Sequence, residues 1–168
     1  ILQLNFVKNS HNHNFLLFNG LLETIYCDIY YDMILKGKEI VKYDNKQLIH
    51  LNEMKKPEHV ICAPDLVPEG LVSVDWKYAK NKKLTDGKKN VIILIPGLTG
   101  SSESTYVQYF AKRFSEQGYD VASYSARGRS ENDLKNAFIY SVGYTLDLQR
   151  VIELIFKEND DQVNIFAV

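Results

Sequence analysis

Val91-Ile92-Ile93-Leu94-Ile95-Pro96-Gly97-Leu98-Thr99-Gly100-Ser101-Ser102 is five apolar residues, a Pro-Gly break and a Gly/Ser/Thr loop that leads into a helical pattern. A run of aliphatic side chains with no polar alternation suits a strand covered on both faces, as in a parallel sheet. A buried strand that ends in a glycine-bearing turn before a helix places backbone N–H groups and the helix N-terminus at the strand's carboxyl end. That is where open α/β sheets build their sites. Function is therefore sought first between Pro96 and Ser102.

Downstream, Tyr106, Val107, Phe110, Ala111 and Phe114 share one helical face. Ser101 or Ser102 is expected to cap this helix, Glu103 to sit in its first turn and Gly118 to end it. Tyr119–Tyr124 reads as the next strand, and Ser125–Ser130 as a loop at its carboxyl end, beside the first loop if the two strands are parallel. A second helix is expected from Ser141 to Lys157, with Tyr144, Leu148, Val151, Ile152 and Ile155 on one face. Val163–Val168 begins another strand. The order from Val91 is β-α-β-α-β, the pattern of a parallel sheet with crossover helices.

Upstream, Lys38–Trp76 has β texture. Glu39–Tyr43 and Gln47–Leu51 alternate around Asp44-Asn45-Lys46 and suggest a hairpin. His59–Ala63 and Leu71–Trp76 read as further strands, the latter half-exposed because Ser73 and Asp75 alternate with apolar residues. Half-exposed antiparallel strands before a buried parallel one imply a mixed sheet. Lys77–Asn90 carries six lysines and Asp86-Gly87, which suits a solvated hairpin connection better than a nucleic-acid patch. Leu21–Leu35 has helical spacing that Gly37 can stop. Asn9–Asn14 is polar, and His11 and His13 within it lack further ligands at metal-binding spacing. The domains expected are an N-terminal extension and helical segment over 1–37 and a core over 38–168.

The chain has 168 residues and a formal net charge of −1, which excludes nucleic-acid binding through a general positive field. Two cysteines, Cys27 and Cys62, do not make a disulfide scaffold. There is no apolar run near the ~20 residues of a membrane span. The first residue is not Met, and both ends look cut, as in a piece of a longer protein.

Three readings of the Pro96–Ser102 loop remain open from the residues alone. A phosphate cradle would need G-x-x-x-x-G-K-[ST] or G-x-G-x-x-G, and neither is spelled. An oxyanion hole needs only a backbone N–H aimed where negative charge develops in acyl transfer. A plain β-to-α turn needs glycine only for its backbone angles. Arg127 and Arg129 could bind an anion, or pair with Glu131 or Asp133 to fix their loop.

Several motifs, in order, resemble one α/β-hydrolase group of esterases and acylglycerol lipases. It includes bacterial YheT-like hydrolases, plant embryogenesis-associated proteins and animal membrane-associated abhydrolase-domain proteins. Pro96-Gly97-Leu98-Thr99-Gly100-Ser101-Ser102-Glu103-Ser104-Thr105-Tyr106 resembles the group's P/H-G-L-T-G-G-S-x-E-S-Y loop. Asn19–Tyr26 is similar to its N-G-H-x-Q-T motif, Pro68–Trp76 to its D-G-x-x-x-x-x-D-W strand, and Tyr124–Ser130 to its N-x-R-G-x-G loop. Tyr140–Ile152 is similar to its Y-x-x-x-x-T-x-D-L-x-x-V-I helix. The chain departs from these patterns at Leu21-Leu22-Glu23, Ser101 and Arg129-Ser130.

The resemblance implies an N-terminal half of an α/β-hydrolase fold, a mixed and mostly parallel sheet with crossover helices. It implies a serine carboxylester hydrolase acting on acylglycerol or short-chain acyl esters, without cofactor or metal. The group's nucleophile elbow, acid and histidine follow the strand that here ends at Val168. No serine or histidine of this chain therefore inherits a triad role, and the chain alone is expected to be inactive. The one role carried over is that of the Leu98 backbone N–H, an oxyanion donor on the loop Pro96, Gly97, Thr99, Gly100. The partners implied are an ester or lipid substrate and, through segments outside the chain, a membrane; the two cysteines, read as unbridged, make an intracellular location the expectation. The alternative is an inactive hydrolase-like domain serving as a structural or interaction subunit, with a protein partner over the Val163–Val168 edge. A nucleotide-binding α/β module is a third reading, which lacks a spelled phosphate site.

Overall fold

The computed structural model describes residues 40–58, 64–141, 144–160 and 162–168. The expectations for the 1–37 segment, for the His59–Ala63 strand and for Cys27 and Cys62 lie outside the described residues. So do those for His11, His13 and the Asn19–Tyr26 motif.

The elements are β1 (Asn45–Leu51), β2 (Met54–Lys55), β3 (Leu66–Val67), β4 (Gly70–Lys77), β5 (Leu84–Thr85), β6 (Lys88–Leu94), α1 (Thr105–Glu116), β7 (Asp120–Ser125), α2 (Leu146–Glu158) and β8 (Val163–Ala167). The Val91 run is the spine of the main sheet. β6 runs parallel to β7 on one side and to β8 on the other, and Val91, Ile92, Ile93 and Leu94 are all buried. The order across the sheet is β1-β4-β7-β6, followed by β5 and β8, which both pair with β6. β1, β4 and β7 pair antiparallel, so the sheet is mixed, with a parallel section around β6.

Each helix covers one face of the sheet. Val151 and Ile155 of α2 pack on Val72, Val74, Trp76, Val91, Ile93, Ala122 and Tyr124. Val107 and Ala111 of α1 pack on Ile92, Leu94 and Val121. Each fully buried aliphatic side chain contributes about 1.5–3 kcal/mol relative to its exposed state. β5 and β6 form the hairpin expected over Asp86-Gly87, whose φ angles of 53° and 74° suit a two-residue turn with both residues left-handed.

The first hairpin expected in the chain does not form. Residues 40–44 are not a strand, because β4 offers β1 a full partner, from Asn45 opposite Trp76 to Leu51 opposite Gly70. The 40–44 segment instead packs Val41 against α1 and the sheet. It is pinned by the Tyr78 N–H, which donates to the Asp44 carboxylate at 2.8 Å. β4 is not half-exposed: the seven residues Gly70–Trp76 are all buried, because both faces of this strand are covered.

The helix starts also differ. Ser104 is the residue before α1 and makes no side-chain cap, and no acidic residue lies in the first turn. The serines are drawn into bonds within the loop instead. Tyr106 and Phe110 stay more than 40% exposed, so the buried stripe of α1 is Val107, Ala111 and Ser115. Gly118 does end the helix, at φ 96°. α2 begins at Leu146 rather than Ser141.

Candidate active-site loop

The loop after β6 is at the surface over Gly97-Leu98-Thr99, while Pro96 is buried behind it. Most of its backbone donors are satisfied locally. The Gly97 N–H donates to the Tyr106 hydroxyl at 3.1 Å, and the Gly100 N–H to the Gly97 carbonyl at 2.9 Å. The Ser101 N–H donates to Ser104 Oγ at 3.0 Å, and the Ser102 N–H to Ser125 Oγ at 3.0 Å. The Glu103 N–H donates to Ser101 Oγ at 3.2 Å, and the Ser104 N–H to the Ser101 carbonyl at 3.0 Å. The N–H groups of Leu98 and Thr99 make no such bond among the described residues. Two adjacent backbone donors thus stand free at the carboxyl end of a buried strand, held by a loop whose other amides are tied down.

Neither loop glycine has a positive φ, so the turn does not need glycine for its angles. Gly100 is required by crowding: a Cβ there would lie 2.7 Å from the Tyr106 hydroxyl and 2.8 Å from Pro96 Cβ. A Cβ on Gly97 would meet nothing within 4 Å among the described residues. Leu98 is itself 51% exposed.

The foot of the loop is Ser102, 1% exposed. The Tyr43 hydroxyl donates to its carbonyl at 2.8 Å and contacts Ser123 Oγ at 3.2 Å. Ser125 Oγ donates to Ser102 Oγ at 3.2 Å. Burial, offset in part by the Ser123 bond, pushes the Tyr43 hydroxyl up to about 12, so it remains a donor at neutral pH. The Asn132 side chain donates to the Ser125 and Ala126 carbonyls at 3.0 and 3.2 Å and closes the loop after β7.

Arg127 does not meet Glu131 or Asp133. Its Nε and Nη2 donate to the two Asp147 oxygens at 2.6 and 3.0 Å, and its Nη1 to the Pro68 and Glu69 carbonyls. Tyr144 adds its hydroxyl to Asp147 at 3.0 Å. A side chain on Gly70 would collide with the Arg127 guanidinium. Burial works against the charge on Arg127, but the Asp147 carboxylate more than offsets it and holds the pKa above its ordinary value. Glu131 pairs with Lys46 at 2.7 Å instead. Arg127 is thus a buried tie between β7, α2 and the Pro68–Gly70 turn, not an anion receptor. The sequence signal for it was the D-L step at Asp147-Leu148, read only as part of a helix.

The chain matches embryogenesis-associated protein EMB8 of Picea glauca at 30% identity over 104 residues, 59% of this chain and 22% of that protein. It matches phospholipase ABHD3 of Bos taurus at 31% over 85 residues, 49% of this chain and 21% of that protein. An α/β serine hydrolase homologue from Coxiella burnetii shares the fold at TM-score 0.51 and 19% identity, covering 76% of this chain and 51% of that one. Over its described residues the chain has a partial α/β-hydrolase fold, and its sequence is similar to members of that superfamily. No family model matches it. It spans about a fifth of the length of the curated relatives it matches.

Within the hydrolase fold, Ser102, Ser123 and Ser125 bond one another or Tyr43, and none has a histidine partner among the described residues. Ser130 Oγ donates to Glu103 at 2.8 Å. His50 is exposed on β1. Among the described residues, no group of three or more His, Cys, Asp or Glu side chains could hold a metal ion.

Proposed function

We propose that the protein carrying this chain is a serine carboxylester hydrolase acting on lipid or short-chain acyl esters, and that residues 38–168 form the part of its core that precedes the nucleophile. The observation that supports this reading most is the adjacent pair of Leu98 and Thr99 N–H groups, unbonded among the described residues, on an exposed loop whose remaining amides are occupied. A serine beyond Val168 would attack the ester carbonyl carbon while a histidine takes the serine proton. The carbonyl oxygen becomes negative, and the Leu98 N–H is one of two donors that stabilise it. The histidine then returns the proton to the leaving alcohol, and water releases the acyl group. The phospholipase named among the relatives supports lipid esters as the substrate class.

The test is labelling of the full-length protein by a fluorophosphonate. Leu98→Pro removes the donor and is expected to slow labelling by roughly 100- to 1,000-fold, whereas Leu98→Ala keeps it and labels normally. No labelled serine in the unmodified protein would overturn the reading. The second reading, a non-catalytic interaction domain, is favoured by β8, where Phe166 is 48% exposed among the described residues. It predicts no labelling and a requirement for a partner to stay soluble.

A further inference from the structure

The direction of the Leu98 N–H is set by the two peptide groups that meet at Gly97. The described peptides are trans, and in a trans peptide the carbonyl and the N–H point opposite ways. The Gly97 carbonyl turns inward to accept the Gly100 N–H at 2.9 Å. The Leu98 N–H of that same peptide therefore faces away from the turn. The peptide on the other side of Gly97 gives its N–H to the Tyr106 hydroxyl at 3.1 Å.

Nothing steric holds Gly97. A Cβ there would meet nothing within 4 Å among the described residues, and glycine has more backbone freedom to lose than any other residue. Hydrogen bonds are what fix its two torsions. One of them is internal to the turn. The other, from Tyr106, ties Gly97 to the rest of the fold. The same hydroxyl stands 2.7 Å from the place a Cβ of Gly100 would take, so it lies against both ends of the 97–100 turn. Its mount is firm. Tyr106 is in the first turn of α1, and the next residue, Val107, is 2% exposed in the layer with Ile92, Leu94 and Val121. The tyrosine itself is 43% exposed, so core packing does not account for an aromatic residue at this position.

We propose that Tyr106 is the positioning residue of the loop: its hydroxyl carries the rigidity of α1 to Gly97 and so aims the Leu98 N–H. This rests on the reading of Leu98 as an oxyanion donor. Such a donor is effective because it is already in place when the carbonyl oxygen becomes negative. A misplacement of about 1 Å costs about 100-fold in rate. Without the hydroxyl, the Gly97 N–H turns to water and the peptide that carries the Leu98 N–H loses its outer anchor.

The full-length protein and a fluorophosphonate test this. Tyr106→Phe keeps the ring and removes only the acceptor. Its maximal labelling rate should fall by roughly tenfold to a hundredfold. The half-saturating probe concentration should stay unchanged, because a group that acts in the transition state does not alter ground-state binding. The midpoint of thermal unfolding should move by no more than a few degrees. A residue that served the fold alone would shift the midpoint and leave the rate. Phe110→Leu changes the next exposed ring of α1, which has no hydroxyl to lose, and should label at the unmodified rate. The deciding arm is the combination with Leu98→Pro. With no donor left to aim, adding Tyr106→Phe should slow labelling further by less than about twofold. Losses that multiply overturn the proposal. So does a Tyr106→Phe protein that labels at the unmodified rate, or a Phe110→Leu protein that is slowed as much. No labelled serine in the unmodified protein overturns the hydrolase reading itself, and the aim assigned to Tyr106 falls with it.

Discussion

Ile92 and Ile93 are neighbours on β6 and point to opposite faces of the sheet, where they meet different chemistry. Ile93 enters a continuous apolar layer from Leu51 to Val163, closed by α2. Ile92 enters a smaller one with Leu94, Val121, Val107 and Ala111. Further across the same face, that layer gives way to buried Ser73, Asp75, Ser102, Ser123 and Ser125. One face is built for cohesion. The other gives up part of its apolar area to a hydrogen-bonded platform under the Leu98 loop. Under the proposed function, stability and catalysis draw on opposite sides of the same strands, so that each is expected to be disturbed separately.

The largest effect should come from the polar tie at the rim of the cohesive side. Arg127→Ala strands the buried Asp147 carboxylate and is expected to cost about 3–5 kcal/mol in urea unfolding. Ile93→Ala tests the layer itself, with an expected loss of about 2–5 kcal/mol. Equal losses for Ile93→Ala and for an alanine at exposed Leu84 would show that this face is not the stabilising one. The smallest effects separate the platform's serines. Ser125→Ala leaves the Ser102 N–H without its acceptor and should cost about 1–3 kcal/mol. Ser73 Oγ has no hydrogen-bond partner among the described residues, so Ser73→Ala should leave the unfolding midpoint unchanged or raise it.

The spine of this fold was legible because its signal is local. Five aliphatic residues before Pro-Gly, and helical spacing on both sides of the next strand, specify β-α-β-α-β wherever the pieces go. The first hairpin was misread because alternation in Glu39–Tyr43 resembles a strand, while the pairing that β1 adopts lies with β4, far along the chain. Ser73 and Asp75 suggested an exposed face for the same reason. Alternation marks two different faces, and only tertiary structure decides whether water or a serine platform meets the second. Leu98 is named as a donor through resemblance alone; that its N–H is unbonded among the described residues is a matter of backbone geometry that no residue type announces. Arg127 was visible as a charge, but its partner Asp147 is brought to it by the crossover through α2. The motif departure at Arg129-Ser130 has one local account, since Ser130 takes a positive φ of 55° and bonds Glu103.

The strand order carries a consequence for biosynthesis. β7 is inserted between β4 and β6, although it is made after both. A chain leaving the ribosome at roughly 5–20 residues per second completes β4, pairs one of its sides with β1, and then holds the other side open for seconds. That open side belongs to a strand buried along almost its whole length in the finished protein. The nascent chain therefore passes through an interval in which its most adhesive backbone edge awaits a partner still being translated. A holdase bound to the chain between Lys77 and Asp120 would act at that moment.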